Sequence, residues 1–354
     1  MDSALTIDNQ IQKLETKIKA AALPPELMEK VNTMITILKV SLHTGRGSFV
    51  NYESIETYID WITSLPFNKE TQDIMDLAKV KQILDKNHHG LETVKNDILE
   101  YLSALILNMQ ETGSTQVRAP IICLVGLVGT GKTSLAISIA EAMGRKFERI
   151  PFGGMGDSLA LRGQSRAFSD AEPGLVIKKI AHAASKNAVI LLDELDRVSE
   201  AARADIMGVL VELLDPEQNS AFTDHYIDYP FDLSHALFIA TTNNTTNIST
   251  AVLDRLQIIQ MPSYSDEEKT IIAKSYLFPK VKKDSGLTQI NLNIDDALWP
   301  TIIRPLGYDS GIRSLERTIE TMLRRIAKMV VEGKLAKNAS FSLTQENIKQ
   351  FLPS

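Results

Sequence analysis

The stretch Gly126-Leu127-Val128-Gly129-Thr130-Gly131-Lys132-Thr133 follows the apolar run Ile121-Ile122-Cys123-Leu124-Val125 and opens into Ser134 to Met143, whose apolar spacing is helical. It fits G-x-x-x-x-G-K-[ST] in the strand, loop and helix setting that gives the pattern meaning. In such a loop glycines let backbone N–H groups turn inward onto phosphates. A lysine then supplies a point charge for the β- and γ-phosphates, and the following hydroxyl can ligate magnesium. Lys132 and Thr133 occupy those places, so Gly126 to Ser134 is the expected binding segment for ATP and Mg2+. The competing reading, an ordinary glycine-rich turn, is disfavoured by the strand before it and the helix after it.

Outward from this loop the texture is α/β. Phe147 to Phe152, Ala188 to Leu192, Ala236 to Thr241 and Gln257 to Met261 are short apolar runs suited to strands buried on both faces, and they alternate with helical stretches. This predicts a parallel sheet flanked by helices. The run at 188–192 ends in Asp193-Glu194. Ligands bind at the carboxyl ends of strands in open α/β sheets. Asp193 is therefore the expected magnesium holder and Glu194 the base that polarises an attacking water; the bland alternative is an N-cap acid for the next helix. Asn243 ends the next apolar run at the same edge, where its amide can orient that water or simply start a turn with Asn244.

The first 77 residues read as helices. Ala4, Ile7, Ile11, Leu14, Ile18 and Ala21 share one seam before Pro24-Pro25. Leu27, Val31, Met34, Ile35, Leu38 and Leu42 form the face of a second helix that stops at Gly45-Arg46-Gly47-Ser48, and Tyr52, Ile55, Ile59 and Ile62 line a third. From Asp266 the chain reads as purely helical, with no strand-like run until a weak one at Ser340 to Leu343. The expected division is 1–77 helical, 78–262 nucleotide-binding and 263–354 a small helical lid.

Composition narrows the function. A net charge of −6 argues against a surface built to coat nucleic acid, and only scattered lysines would support DNA binding. The lone Cys123 can form no intramolecular disulfide, which suits a reducing, cytoplasmic setting, and no apolar run is long enough to span a bilayer.

Further blocks make the chain resemble the ATPase portion of Lon proteases, within the AAA+ superfamily, from about Leu23 to Pro353. They are Tyr58-Ile59-Asp60-Trp61 with Ser64-Leu65-Pro66, His89-Gly90-Leu91-Glu92, the specific Leu213-Leu214-Asp215-Pro216-Glu217-Gln218-Asn219 to Asp224-His225-Tyr226, Leu253-Asp254-Arg255, and Gly311-Ile312-Arg313-Ser314-Leu315-Glu316-Arg317. The resemblance implies a ring of identical subunits, a homohexamer, that hydrolyses ATP and pulls on unfolded polypeptide. It makes Arg255 the arginine finger reaching a neighbouring subunit's γ-phosphate, Arg313 the sensor-two arginine and Asn243 sensor one. A surface ion pair is the alternative for each arginine.

Departures matter as well. Where the family's pore loop reads Gly-His-x-x-Thr-Tyr-x-Gly, this chain has Gly163 to Asp170, keeping an aromatic at Phe168 but replacing the following pair with Ser169-Asp170. His89, before Gly90-Leu91, sits where the family commonly has Tyr near the adenine, so His89 either stacks on the base or packs at the surface. No Gly-Pro-Ser nucleophile block occurs, so the expectation is an ATPase without its own Ser–Lys peptidase. The alternative function is an ATP-dependent scaffold that recruits a separate peptidase chain or another partner.

Overall fold

The computed structural model describes residues 2–43, 49–114, 116, 119–304 and 311–353. The predicted positions of Ala4, Ile7 and Leu42 on their helix faces, and the stop at Gly45 to Ser48, lie outside the described side chains and residues.

Helices α1 (Asp2–Ala20), α2 (Pro25–His43) and α3 (Phe49–Ser64) pack together because each carries an apolar stripe at helical spacing. Ile11, Leu14 and Ile18 of α1, Leu27, Val31, Ile35 and Leu38 of α2, and Tyr58, Ile59 and Ile62 of α3 are all buried. They do not close a core of their own. The same apolar cluster continues into Ile150, Phe152, Ile190, Leu192 and Phe238 on one side of the sheet.

The segment after α3 is tied down by polar groups. Asn187 accepts from the Thr71 amide at 2.9 Å and donates back to its carbonyl at 2.8 Å. Arg145 and Asp73 form an ion pair whose two side chains are almost wholly buried, with Nε to Oδ1 at 2.8 Å. Removing one partner of such a pair leaves a buried charge and costs about 3–5 kcal/mol.

Next come α4 (Leu77–Asn87), whose first turn is capped by the Asp76 carboxylate, and α5 (Glu92–Thr112). The α/β core follows as β1 (Ile121–Val125), α6 (Lys132–Met143), β2 (Phe147–Pro151), α7 (Leu159–Arg162), α8 (Leu175–Ala183), β3 (Val189–Asp193), α9 (Arg203–Leu214), the two-residue strands β4 (Phe222–Thr223) and β5 (Pro230–Phe231), β6 (Leu237–Thr242), α10 (Thr250–Leu253) and β7 (Leu256–Gln260). Strands β2-β3-β6-β1-β7 form one parallel sheet in that order. Every residue of β1, β3 and β6 is buried, as expected of strands covered on both faces. The five runs expected from the sequence are these strands, each displaced by no more than one residue. The antiparallel pair β4–β5 is an addition, too short to register as a run.

The remainder comprises α11 (Asp266–Ile272), α12 (Phe278–Asp284), β8 (Asn291–Ile294), α13 (Trp299–Ile303), α14 (Arg313–Val331) and β9 (Ser340–Leu343). A π-helical turn over Ala273–Leu277 joins α11 to α12. Trp299, Ile302, Leu315, Ile319, Met322, Leu323 and Phe351 build a separate core. The expectation of a purely helical tail needs correction here: β8 pairs in parallel with β9, Asn291 to Ser340 through Ile294 to Leu343. Asn291-Leu292-Asn293-Ile294 is too short for its alternation to announce a strand, and its partner comes from across α14.

Candidate active site

The sheet order brings the carboxyl ends of β1, β6 and β3 side by side, and a cavity of about 460 Å³ opens over them, beneath the lid. The loop after β1 makes its floor. Gly129 and Gly131 have φ of +84° and +92°, conformations that a side chain would strain. Gly126 has no room for a Cβ either, since one would lie 2.7 Å from Met261. Thr130 is buried and donates to Leu127 O, closing the turn, whereas Leu127 itself is exposed. The N-terminus of α6 then faces the cavity with Lys132, Thr133 and Ser134.

Lys132 is largely buried. Its Nζ donates to Gly126 O at 2.6 Å, to Leu127 O at 2.9 Å and to Asn243 Oδ1 at 3.2 Å. Burial lowers its pKa, against the opposing pull of Asp196, Asp193 and Glu194. Asn243 is held from behind: its Nδ2 donates to Asp196 Oδ2 at 3.1 Å and its amide to Asp196 Oδ1 at 3.2 Å. With both bonds made, the amide oxygen is the end that faces Lys132.

On β3 the register sets Leu192 beside Ala240, so that one step further Thr241 meets the acidic pair. Thr241 Oγ1 donates to Asp193 Oδ1 and accepts from the Glu194 amide at 3.0 Å. Arg149, on the neighbouring β2, donates from Nε to Asp193 Oδ2 at 2.7 Å. Glu194 has φ +62° and ψ +51°, a left-handed conformation that costs a non-glycine residue about 1–3 kcal/mol. It lines the cavity, with Oε1 3.2 Å from Arg197 and Oε2 close over Gly153.

Above these groups the wall mixes imidazoles with apolar side chains. His88, His89, Ile272, Tyr276 and Leu277 line it, the last two supplied by the π-helical turn. His88 is buried against Ser138 Oγ at 2.9 Å, and burial with the nearby Lys95 lowers its pKa to about 4. Gly90, at φ +65°, makes the turn into α5 just below Glu268. Arg313, the first residue of α14, and Lys280 and Glu316 complete the rim.

Lys132, Thr133, Ser134, Asp193, Glu194, Asn243, Arg313 and His89 thus converge on one cavity. Arg255 and Phe168 do not. Arg255 lies between α10 and β7, its Nη2 2.9 Å from Asp215 Oδ2 and its Nη1 donating to Ala251 O. Phe168 is 68% exposed at the tip of the loop between α7 and α8. Arg149 and Asp196 escaped the sequence reading. Arg149 stands in an edge strand of mixed polarity, where a charge carries no signal, and Asp196 is one acid among several after β3. The acids at 193 and 196 flanking a glutamate were the cue that could have found the second.

The donor set fits a magnesium-bound nucleoside triphosphate. Backbone N–H groups at a helix N-terminus and an ammonium suit phosphates. The Thr133 hydroxyl and the Asp193 carboxylate are the hard oxygen donors that magnesium prefers.

Comparison with known families agrees with this geometry. The family model for the ATPase family associated with various cellular activities (AAA) matches residues 122–264, and that for the Lon protease AAA+ ATPase lid domain matches 283–339. The Lon protease of Lawsonia intracellularis is 40% identical over 352 residues, 99% of this chain and 41% of that protein. The Lon protease of Dictyoglomus thermophilum is 39% identical over 343 residues, 97% of this chain and 42% of its own length. That of Desulforamulus reducens is 43% identical over 298 residues, 84% of this chain and 36% of that protein. The chain therefore spans about two-fifths of the length of the curated relatives it matches.

Proposed function

We infer, for a chain that belongs to the Lon protease family through its AAA ATPase and lid domains, that it hydrolyses ATP at the interfaces of a homohexameric ring and uses the energy to pull on unfolded polypeptide. The observation that carries this reading is the convergence of Lys132, Thr133, Asp193, Glu194, Asn243 and Arg313 on one cavity.

In this reading the N–H groups of the loop and Lys132 bind the β- and γ-phosphates, and Thr133 and Asp193 hold magnesium. When bound, that ion neutralises charge building on the transferred phosphoryl group. Glu194 takes the proton of the attacking water as its oxygen bonds to the γ-phosphorus and the bridging oxygen leaves with ADP. Asn243, fixed by Asp196, orients that water, and Arg313 follows the phosphates from the lid. His89 and the apolar side chains of that wall take the base. Arg255, remote from its own cavity, serves the cavity of the adjacent subunit. Phe168 grips passing polypeptide by apolar contact. Peptide-bond cleavage is assigned to no residue of this chain, and a reducing cytoplasm suits its buried thiol.

The test is ATP turnover with and without unfolded casein in the wild type, Glu194→Gln and Phe168→Ala. Glu194→Gln should bind ATP without turning it over. Phe168→Ala should keep basal turnover and lose stimulation by casein. Full stimulation in Phe168→Ala would remove the pulling role and leave an ATP-driven scaffold.

A further inference from the structure

The loop between α7 and α8 is pinched at its base. Gly174 approaches so closely that a Cβ there would sit 2.0 Å from Leu161 O. The buried Asp224 carboxylate accepts from the Gly174 amide at 2.7 Å, and from Tyr226 and Ile227 at 2.8 and 3.0 Å. Thus the block from Asp224 to Tyr226 is the clamp that closes this loop. Above the clamp, Gln164 N donates to Glu172 O, and Phe168 stands at the tip.

One side chain ties the loop's flank to another part of the molecule. The Arg166 guanidinium lies 3.9 Å from the ring centroid of Tyr58, which belongs to α3 and is fully buried. Tyr58 is itself fixed, its hydroxyl donating to Ile227 O at 3.0 Å and its ring 6.2 Å from that of Tyr226. Arg166 also faces Asp228 at 4.0 Å, a residue with φ +50° whose carboxylate and carbonyl accept from Lys30 of α2 at 2.6 and 2.8 Å. A planar guanidinium on an aromatic face resists sliding in a way that a lysine point charge does not.

We propose that Tyr58 and Arg166 are a positioning pair that mounts the Phe168 loop on the N-terminal helices, so that α2 and α3 set where Phe168 meets a polypeptide. The inference rests on the reading of Phe168 as the gripping side chain. Because Arg166 stands two residues before Phe168 and part-exposed, it can be changed without opening the core.

The mount can be measured apart from any activity. Cys123 is fully buried, so cysteines introduced by Glu53→Cys on α3 and Ser169→Cys on the loop, both at exposed positions, take spin labels selectively. The full chain should give one narrow interlabel distance. Arg166→Leu and Tyr58→Leu should broaden it, Arg166→Lys should broaden it less, and Tyr58→Phe, which keeps the ring, should leave it narrow. An unchanged width in Arg166→Leu overturns the proposal. The second arm uses fluorescent unfolded casein with ATP in a Glu194→Gln background. Arg166→Leu should weaken casein binding about five-fold or more, on the scale of a part-exposed cation–π contact, while ATP affinity stays put. Broadened distances with unaltered casein affinity would overturn the claim that the mount serves grip. Should Phe168→Ala hold casein as well as wild type, the gripping reading itself falls, and the distances still decide the mount.

Discussion

The amide of Ile312 donates to the carbonyl of Gly129 at 3.0 Å, so the start of the long lid helix hangs on the phosphate loop by its backbone. The approach demands two glycines. A Cβ on Gly311 would sit 2.4 Å from Val128 O, and one on Gly129 3.1 Å from the Gly311 Cα. This contact sets Arg313, the next residue, at the cavity rim. A change at Val128 or Gly129 therefore meets the root of α14 directly.

Gly311→Ala should push the lid off the loop and weaken ATP binding about ten-fold, while overpacking costs about 1–3 kcal/mol of stability. Gly333→Ala is the control: φ is +72° but nothing lies within 4 Å, so it should cost only about 1–2 kcal/mol and leave ATP affinity alone. Calorimetric titration with thermal unfolding separates the two. Equal ATP affinities for both variants would show that the backbone contact has no part in binding.

Lys132→Ala should abolish ATP binding, since the phosphates lose the buried counter-charge that Lys132 places in this cavity. Glu194→Gln should bind normally yet turn over about 10²–10⁴-fold more slowly, the scale of a lost general base. Phosphate release at wild-type rates in Glu194→Gln would take the base role away from Glu194.

Arg255→Ala should leave ATP affinity intact and cut turnover roughly 10³-fold, as expected for an arginine finger. Because Arg255 is engaged by Asp215 and absent from its own cavity, specific activity should rise with protein concentration. Mixing Arg255→Ala with Lys132→Ala chains should restore turnover at interfaces that combine an intact cavity with an intact finger. Dead mixtures in rings verified by sedimentation would refute action between subunits.

Arg149→Gln should lower the magnesium concentration needed for tight ATP binding by a few-fold, about 0.5–1 kcal/mol for an ion pair whose guanidinium is half-exposed, because the guanidinium competes for Asp193 Oδ2. Magnesium titration of a fluorescent ATP analogue reads this directly. An unaltered midpoint would mean that Arg149 and the ion do not share the carboxylate.

Acid should destabilise the fold through His88. Its pKa falls from 6.5 to about 4 on folding, chiefly by burial, so between those values the unfolded chain binds the extra proton. Stability contributed by the neutral ring is full above about pH 6.5 and declines toward pH 4, by about 2 kcal/mol at pH 5. Chemical denaturation from pH 7.5 to 4.5 should show a shallower loss in His88→Gln than in wild type. Parallel profiles would assign the acid sensitivity to other groups.

The glycine-rich loop after β1, the five parallel strands and the acidic pair at the end of β3 were legible in the sequence because their physics is local. Strands buried on both faces must be continuous apolar runs, so Val189 to Leu192 announces itself and makes Asp193-Glu194 conspicuous at its end. A glycine pair with positive φ around Thr130 likewise leaves a pattern in neighbouring residues. What tertiary structure alone decided are meetings between residues far apart in the chain. Lateral packing of β2, β3 and β6 puts Arg149 and Thr241 on Asp193, and no spacing rule encodes strand order. Arg255 turns away to Asp215, β8 finds β9 across α14, and Tyr58 receives Arg166. Each depends on how separate elements dock, and docking is set by the summed burial of whole faces, a property that no short window of sequence carries.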